Sequence, residues 1–420
     1  MTRLAQAMRD QQGVVLPMTL LALLILSGLL TGFLELSSSE PAIAGNHLMV
    51  AQARALAEAG IEQAIWALNT SGIASPLVGT APAPYDGSRF VATSTGGVQI
   101  GGFKVTVTAG AVAYERIITS TGWVPDDTTA RGKARQKIVV TVSNPALIVK
   151  DPAAALAVRG DLHLGGTAIV DSRPHDGAPG GLPPDARFDT SCGSTRGTLA
   201  TGSISLAGTA ASVWGGTDGN DTPNEYTDTQ PTGAIPPGAG DIVTHVAAQL
   251  FDQFVLSDAD VNALRAYART RGTYLQHAAG GKIAFDDSRR LPDGLVFIDT
   301  VSGATLTPAT PASEAAAVEI HGQSVFRGTL FVNGSLTITG HFSARGMVYV
   351  QDRLDMDVSG GEVAGAVLSR NVRDASSTSI RSSAAAIGVS FHCNWAKTGG
   401  GTIASRWATK HGSYKEVSGS

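Results

Sequence analysis

The longest apolar stretch of the chain lies close to its N-terminus. No charged residue occurs between Gly13 and Leu34, and Glu35 ends this 22-residue run. A helix rises about 1.5 Å per residue, so the run would span roughly 33 Å, close to the thickness of a bilayer core. Secretory signals have shorter apolar cores, about 7–15 residues. The pattern predicts a membrane-spanning helix; the alternative is a secretory signal cleaved at "AIAG", residues 42–45.

The helical pattern continues beyond this run. Between Asn46 and Leu68, apolar residues recur on one helical face: Val50, Ala57, Ile61, Ala64 and Leu68. A second row, whose small side chains would permit close backbone approach, contains Ala51, Ala55 and Ala59. Pro41 has no amide hydrogen, so we expect a kink or brief unwinding near "SSSEP". The pattern predicts a membrane helix whose second half packs on a soluble domain.

Alternating patterns after the helix predict three short strands. In "FKVTVT", Phe103, Val105 and Val107 share one face of a strand. "YERIITST" covers 114–121 and "RQKIVVTV" covers 135–142, whereas residues 70–100 are rich in Gly, Pro, Ser and Thr and are expected to be a loop. The segment 70–145 is therefore predicted to contain a small antiparallel sheet that packs against the helix.

A six-residue glycine repeat dominates the later part of the chain. Its glycines are Gly322, Gly328, Gly334, Gly340 and Gly346. Nine of the ten residues that lie two or four positions after them are apolar. Such a repeat predicts short strands stacked into a β-solenoid with glycine at the corners. The same spacing recurs at 160–171 and 202–213; the alternative is an antiparallel meander with glycine turns.

These patterns predict an α+β protein with five segments. A leader at 1–13 precedes the helix at 14–69 and the sheet at 70–145. A β-solenoid-like head follows at 146–398, with a mixed α/β insertion at 214–318, and 399–420 is expected to be a flexible tail. One helix of the insertion begins at the capping box Ser257–Asp260 and ends near Gly272.

The N-terminal segment resembles that of type IV pilins. A short leader with arginines, a glycine, an apolar helix and then "AQARALAEAGIEQAIWAL" are most similar to the PilX family of minor pilins, and next to minor pseudopilins of GspK type. The resemblance covers roughly residues 9–69. It implies cleavage by prepilin peptidase between Gly13 and Val14.

The chain departs from this family pattern at Met18. Major pilins have Glu at this fifth mature position, where it offsets the buried N-terminal amine of a neighbouring subunit. Leaving that charge unpaired in a filament core would cost several kcal/mol. A subunit without the Glu is therefore expected at the filament tip, where no further subunit lies above it.

Composition and motifs give little support for an enzyme. The motifs G-x-S-x-G, H-E-x-x-H, C-x-x-C and the P-loop pattern do not occur. His321 and His341 lie in the glycine repeat, where hexapeptide acyltransferases place a catalytic histidine, but those enzymes have longer uninterrupted coils and no such membrane helix. We expect no enzymatic activity and no cofactor, apart from one candidate calcium site.

That candidate lies in "DGNDTPNE", where oxygen-bearing side chains cluster. They are Asp218, Asn220, Asp221, Asn224 and Glu225. Oxygen-rich loops can hold Ca²⁺, but the EF-hand spacing and its glycine are missing. A solvated turn is the competing interpretation.

A basic row is the corresponding candidate for nucleic-acid contact. Arg131, Lys133, Arg135 and Lys137 occupy alternate positions, so a strand would place all four on one side. The net charge is −4, and no aromatic residue is interleaved with the row. We expect a solvated face and no nucleic-acid partner.

The two cysteines, Cys192 and Cys393, lie on the exported side of the predicted membrane helix. An oxidising compartment would allow a bridge between them, which would stabilise a long loop by several kcal/mol in the entropic account. We expect this disulfide; two buried free thiols are the alternative.

The sequence therefore predicts a minor-pilin-like structural protein that takes part in type IV pilus assembly, initiation or tip display, including adhesion. Arg3 and Arg9 precede the apolar run, which places the N-terminus in the cytoplasm and the bulk in the periplasm of a Gram-negative bacterium. From the inner membrane the protein would reach the pilus tip or cell surface. The resemblance implies prepilin peptidase, the major pilin, other minor pilins and a PilY-type tip adhesin as partners.

Four other functions remain open on the sequence. The first is a minor pseudopilin of type II secretion, of GspK type. The second is a DNA-receptor minor pilin of natural transformation, which would be ComZ-like. The third is an ordinary signal-anchored envelope protein, and the fourth is a bactofilin-type polymer, against which the membrane helix argues.

Overall fold

The computed structural model describes residues 12–73, 77–128, 134–173, 195–208, 210–216, 222–373, 377–403 and 406–417. The chain divides into two compact units. The first unit comprises Met1–Val142 and Ala408–Ser420, and the second comprises Ser143–Trp407. Along the sequence, the second unit is therefore inserted into the first.

Within these ranges the helices are α1 (Gln12–Asn69), α2 (Ala248–Phe251), α3 (Asp258–Arg271) and α4 (Cys393–Thr398), with a 3₁₀ turn at Pro145–Leu147. The strands of the first unit are β1 (Val91–Thr95), β2 (Val98–Ala109), β3 (Glu115–Val124), β4 (Ala134–Ser143), β21 (Ala408–Thr409) and β22 (Lys415–Val417). Those of the second unit are β5 (Ala154–Val158), β6 (Leu162–Asp171), β7 (Arg196–Ala200), β8 (Ile204–Ala207), β9 (Ser212–Trp214), β10 (Tyr226–Asp228), β11 (Ile242–Thr244), β12 (Thr273–Gln276), β13 (Ile283–Phe285), β14 (Gly294–Asp299), β15 (Ala316–Ile320), β16 (Gln323–Val332), β17 (Gly334–Val350), β18 (Leu354–Gly360), β19 (Glu362–Ser369) and β20 (Thr378–Phe391).

The first unit is a long helix with a small sheet. Strands β1, β2 and β3 pair antiparallel, and β4 follows β3 in the sheet. Phe103, Val105 and Val107 are all buried, as their alternation predicts. The structure differs from the predicted loop at 70–100, because β1 and the start of β2 form a hairpin there, with Gly96 and Gly97 in its turn at positive φ. Helix plus antiparallel sheet agrees with the predicted α+β class.

Helix α1 is continuous through Pro41, where we expected a kink or unwinding. Both Pro17 and Pro41 lie inside α1, and every described position from Gln12 to Asn69 is helical. An interior proline removes one amide donor from the hydrogen-bond ladder and crowds the carbonyl of the preceding turn, yet here it does not end the helix. The turns on either side retain their bonds, so the helical path persists.

The C-terminal segment also differs from the expected flexible tail. Strand β22 pairs antiparallel with β4, placing Glu416 opposite Ile138, and β21 lies beside β4 as well. The alternation in "SYKEV" is too short to indicate a strand without knowledge of its partner. Residues 408–417 thus complete the sheet of the first unit after the second unit has been traversed.

The second unit is β-rich, and its described strand pairs are parallel. Val318 lies opposite Leu336, and Leu336 lies opposite Leu354, so one structural repeat has 18 residues. This is three times the predicted six-residue glycine spacing. The antiparallel meander considered for this region is therefore wrong.

The strands contribute to three stacks, each defined by its pairings. One contains β14, β16, the end of β17 and β19. A second contains β13, β15, the start of β17, β18, β20, β6 and β8. The third contains the start of β16, the middle of β17, the start of β19, the end of β20, and β6 with β9. Inward-facing aliphatic side chains such as Leu330, Leu336 and Val389 form one large core.

Glycines allow the repeats to stack closely at the predicted corners. Gly328 lies opposite Gly346, and Gly346 lies opposite Gly365. A Cβ on Gly346 would come within 1.9 Å of the Gly328 carbonyl oxygen, which no side chain tolerates. The glycine repeat is thus explained by backbone contact between successive repeats.

Residues 214–318 are only partly the insertion that the sequence predicts. Helix α3 begins at the expected capping box, in which Ser257 and Asp260 bond reciprocally, and it ends at Gly272. However, β14 lies in the same segment and pairs parallel with β16, opposing Val296 to Leu330. The segment therefore contributes strands to the common sheet, because apolar runs such as "GLVFID" do not need the glycine repeat to pair.

Candidate functional site

The first half of α1 is apolar, and no described part of the chain covers it. Every residue from Val15 to Ser37 is exposed, including Leu24 and Phe33, which are both 70% exposed. Among the described residues, α1 is the one helix long and apolar enough to cross a membrane. A cleaved signal would satisfy the same criterion. An exposed apolar surface of this size requires lipid or protein contact.

Several hydroxyl side chains in this half bond to the backbone of the helix itself. The Ser27 hydroxyl donates to the Leu23 carbonyl at 2.7 Å, and the Thr31 hydroxyl donates to the Ser27 carbonyl at 2.9 Å. Such bonds to the preceding turn leave no hydroxyl donor for solvent. They make this half compatible with a hydrocarbon environment.

The predicted processing site lies at the N-terminal end of the same helix. Gly13 and Val14 are helical, and their side-chain surroundings lie outside the described part of the structure. Met18 is 70% exposed, so a side chain there would face lipid or a neighbouring subunit. Cleavage before Val14 stays a prediction.

The second half of α1 packs on β2 and β3 through small residues. Ala53 and Ala57 are fully buried, and a Cβ on Gly122 of β3 would lie 2.1 Å from the Ala53 carbonyl oxygen. Gly60 contacts the sheet in the same way, since a Cβ there would lie 2.3 Å from the Ser120 hydroxyl. Helix and sheet therefore approach each other backbone to backbone.

The predicted helix faces hold with one exception. Ala57, Ile61, Ala64 and Leu68 are buried, whereas Val50 is 41% exposed. Val50 lies about a turn before the buried cluster of Ala53 and Leu56, which explains its exposure. The second row, Ala51, Ala55 and Ala59, is exposed.

Two contacts tie the C-terminal segment to α1, and an ion pair within the helix joins their partners. Arg54 pairs with Glu416 at 2.8 Å and with Glu58 at 3.2 Å, and the Tyr414 hydroxyl donates to Glu58 at 3.0 Å. The hydrogen bond with Tyr414 contributes most to raising the pKa of Arg54. The pairing of Arg54 and Glu58 with the C-terminal segment could not be predicted from the sequence, because Tyr414 lies 356 positions after Glu58.

The basic row is only half described. Arg131 and Lys133 lie outside the described residues. The Arg135 guanidinium lies 5.6 Å from the ring centroid of Trp123, and Lys104 lies 5.9 Å from the same ring. Two cations therefore lie near Trp123, but this side chain is only 9% exposed and offers no stacking surface.

Of the five candidate calcium ligands, only Asn224 and Glu225 are described. Asp218, Asn220 and Asp221 lie outside the described ranges. The Asn224 side-chain oxygen accepts from the Val213 amide at 2.7 Å, so it already supports β9. The Glu225 amide donates to Asp241 at 3.1 Å. In the part of the chain that the structure describes, no group of three His, Cys, Asp or Glu side chains is placed to hold a metal.

The predicted disulfide falls partly outside the described residues, because Cys192 does. Cys393 is fully buried at the first position of α4. The preceding His392 caps this helix by accepting from the Trp395 amide. The bridge between Cys192 and Cys393 stays a prediction.

The two repeat histidines have separate environments. The His321 ring contacts the Thr339 hydroxyl at 2.6 Å through Nδ1 and Glu319 at 3.2 Å through Nε2. The His341 ring contacts the Ser343 hydroxyl at 3.5 Å through Nε2. The two imidazoles therefore belong to different hydrogen-bonding groups.

No protein-family model and no curated protein matches the chain. Among solved structures, the competence-associated pilin ComZ from Thermus thermophilus is similar at 12% identity, covering 88% of this chain and 97% of that chain with a TM-score of 0.28. An ice binding protein from an Antarctic Biological Consortium is similar at 9% identity, covering 56% of this chain and 87% of that chain with a TM-score of 0.22. Neither likeness shows a family, and the function proposed below depends on the chain's own residues.

Proposed function

We propose that this chain is a minor-pilin-like subunit that is anchored in the inner membrane, processed by prepilin peptidase and incorporated at the tip of a type IV pilus. One observation carries the proposal: α1 is a single helix whose first half is apolar and exposed and whose second half packs on an antiparallel sheet. This division suits a subunit that leaves the membrane and enters an assembly without refolding.

Tip placement is supported by Met18 and by the second unit. Met18 supplies no carboxylate to offset the amine of a neighbour, so burial among shaft subunits would leave that amine unpaired. In the sequence, the second unit, Ser143–Trp407, precedes β21 and β22, the last strands of the sheet of the first unit. A bulky inserted head suits a position that is occupied once per filament better than one repeated along it. We propose that this head is a β-solenoid, as the 18-residue repeat suggests.

The proposed partners are the major pilin, other minor pilins and a PilY-type tip adhesin. A DNA-receptor role is the main competing function. The described basic residues do not favour it, because Arg135 and Lys104 both lie against the Trp123 ring.

Immunogold labelling of filaments tests the proposal. A host that makes type IV pili would express the chain or its Gly13→Leu variant, in which the bulky side chain should block processing. We expect label at one end of filaments for the native chain and no filament label for the variant. Regular labelling along the shaft would contradict tip placement, and equal labelling by both forms would contradict processing as a requirement.

A further inference from the structure

A column of polar side chains crosses the second stack of the head. The members of this first column are Glu319, Thr337, Asp355, Ser379, His163 and Ser205, and each lies opposite the next in register. Their strand neighbours, such as Val318 and Leu336, point into the core. Alternation thus directs all six polar side chains outward.

A second column lies two residues further along the same strands. It contains Thr339, Asp357 and Arg381 in register, and His321 joins it through its bond to Thr339. Each side chain of both columns is at least partly exposed, and none is aromatic or aliphatic. We call these two columns the polar face.

Charges on the polar face are largely paired within it or at its border. Lys282 contacts Glu319, and Arg353 pairs with Asp355 at 2.7 Å. Asp357 lies opposite Arg381 in register. The contacts from Lys282 and His321 lower the pKa of Glu319, which keeps this carboxylate ionised and paired. The face therefore has hydrogen-bonding capacity without a surplus of either charge.

This chemistry selects among ligand classes. A nucleic acid requires a basic surface and, when single-stranded, aromatic stacking platforms. Protein hot spots are typically aromatic or arginine anchors in desolvated pockets. The polar face has balanced charges and no aromatic member, and its one arginine, Arg381, is exposed and not in a desolvated pocket. It repeats hydroxyl, carboxylate and imidazole groups at the strand spacing of about 4.8 Å.

We propose that the polar face binds an uncharged, hydroxyl-rich polysaccharide laid across its strands. Six side chains of the first column extend over about 24 Å at this spacing, long enough to contact several consecutive sugar units. Hydrogen bonds to sugars replace bonds to water, so each one contributes little net affinity. Binding therefore requires a polymer that spans the column, and short oligosaccharides compete poorly. This proposal rests on the proposed function in one respect: display at the cell surface would give the head access to the polysaccharide.

Affinity electrophoresis of the full chain tests this binding. The protein would be kept in a detergent without sugar head groups, in gels containing dextran, amylose, galactomannan or mixed-linkage β-glucan. We expect at least one of these polymers to retard the protein, with little change when salt is added. Compared at equal sugar concentration, the disaccharide unit of that polymer should compete at least tenfold more weakly than the polymer itself.

Variants distinguish the polar face from the rest of the head. Thr337→Val together with Ser379→Ala removes two hydroxyls from the middle of the first column and keeps the strand shape. We expect at least a tenfold loss of affinity. The matched control, Ser343→Ala together with Ser212→Ala, removes two hydroxyls from the third stack and should bind normally.

Three results would overturn the proposal. They are no retardation by any of the four polymers, equal loss in the variant and its control, and preferential, salt-sensitive retardation by alginate or single-stranded DNA. The assay needs neither processing nor pilus assembly. A failure of the pilin-like function would therefore appear in the filament experiment and leave this result interpretable.

Discussion

At Gly122, the sheet of the first unit comes within contact distance of the helix backbone. A Cβ there would lie 2.1 Å from the Ala53 carbonyl oxygen and 2.7 Å from the Ala57 nitrogen. Neither atom can move without shifting α1, so we expect Gly122→Ala to destabilise the first unit by about 1–3 kcal/mol. Hydrogen exchange of β3 amides would measure this. Gly45→Ala is the control, because nothing lies within 4 Å of that position; equal exchange in both variants would refute the close packing.

Glu362 provides a pH-dependent prediction at the same scale. Burial raises the pKa of Glu362, while a hydrogen bond from Ser390 and the charge of Arg345 oppose the shift. Between its ordinary and its raised pKa, the unfolded chain has released this proton and the folded chain retains it. The folding stability that the neutral carboxyl of Glu362 contributes is therefore fully present below its ordinary pKa. It is lost as pH rises through the raised pKa.

Glu362→Gln should thus gain stability relative to the native chain as pH rises. Gln cannot ionise, and its oxygen can still accept from Ser390. Denaturant midpoints of both proteins at about pH 4 and about pH 7 would test this. We expect a larger advantage for the variant at the higher pH; a constant difference would mean that Glu362 titrates normally in the folded protein.

At the scale of elements, β21 and β22 close the sheet of the first unit. Besides the contacts to α1, Lys410 pairs with Glu115 at 2.7 Å, and the Ser413 hydroxyl donates to the Thr141 carbonyl at 2.9 Å. These bonds join α1, β3 and β4. The C-terminal residues therefore hold together parts of the unit that are made before the head.

Deleting Ala408–Ser420 should loosen the first unit and leave the head intact. We expect faster hydrogen exchange in β4 and in the second half of α1, with unchanged exchange in β16 and β17. Glu416→Gln is the matched control; it removes only an exposed ion pair, which contributes about 1 kcal/mol or less. Unchanged exchange in β4 after the deletion would show that these strands do not support the sheet.

Sequence patterns predicted the elements whose signal is local. The alternation of Phe103, Val105 and Val107 and the capping box at Ser257 depend on neighbours in the chain, and the structure has them where expected. The glycine repeat also indicated positions of close approach, because Gly328, Gly340 and Gly346 lie against the backbone of a neighbouring repeat.

Features that depend on distant pairing were not predictable in this way. Ser413 contacts Thr141 across 272 positions, and nothing in either segment specifies the other. Likewise, β5 lies between β19 and β7 in the sheet, although β19 follows it by some 200 residues. The polar face was missed for the same reason, since its columns exist only once the register of six strands is known.

At the scale of the whole molecule, the chain has a long N-terminal helix with an exposed apolar half, a small sheet completed by the C-terminal strands and a β-rich unit inserted between them in the sequence. The way in which this helix is processed distinguishes a pilin-like subunit from a secreted protein and from a simply anchored one. The three possibilities give different mature N-termini, whatever the head binds.

The N-terminal sequence of the protein recovered from membranes is therefore the most direct test. We predict that a host with an active prepilin peptidase yields a chain that begins at Val14, and that the same host without the peptidase yields one that retains the leader 1–13. A mature terminus at Gly45 in both hosts would identify a secretory signal, and an intact leader in both would identify a plain anchor. Either result would contradict the pilin-like function.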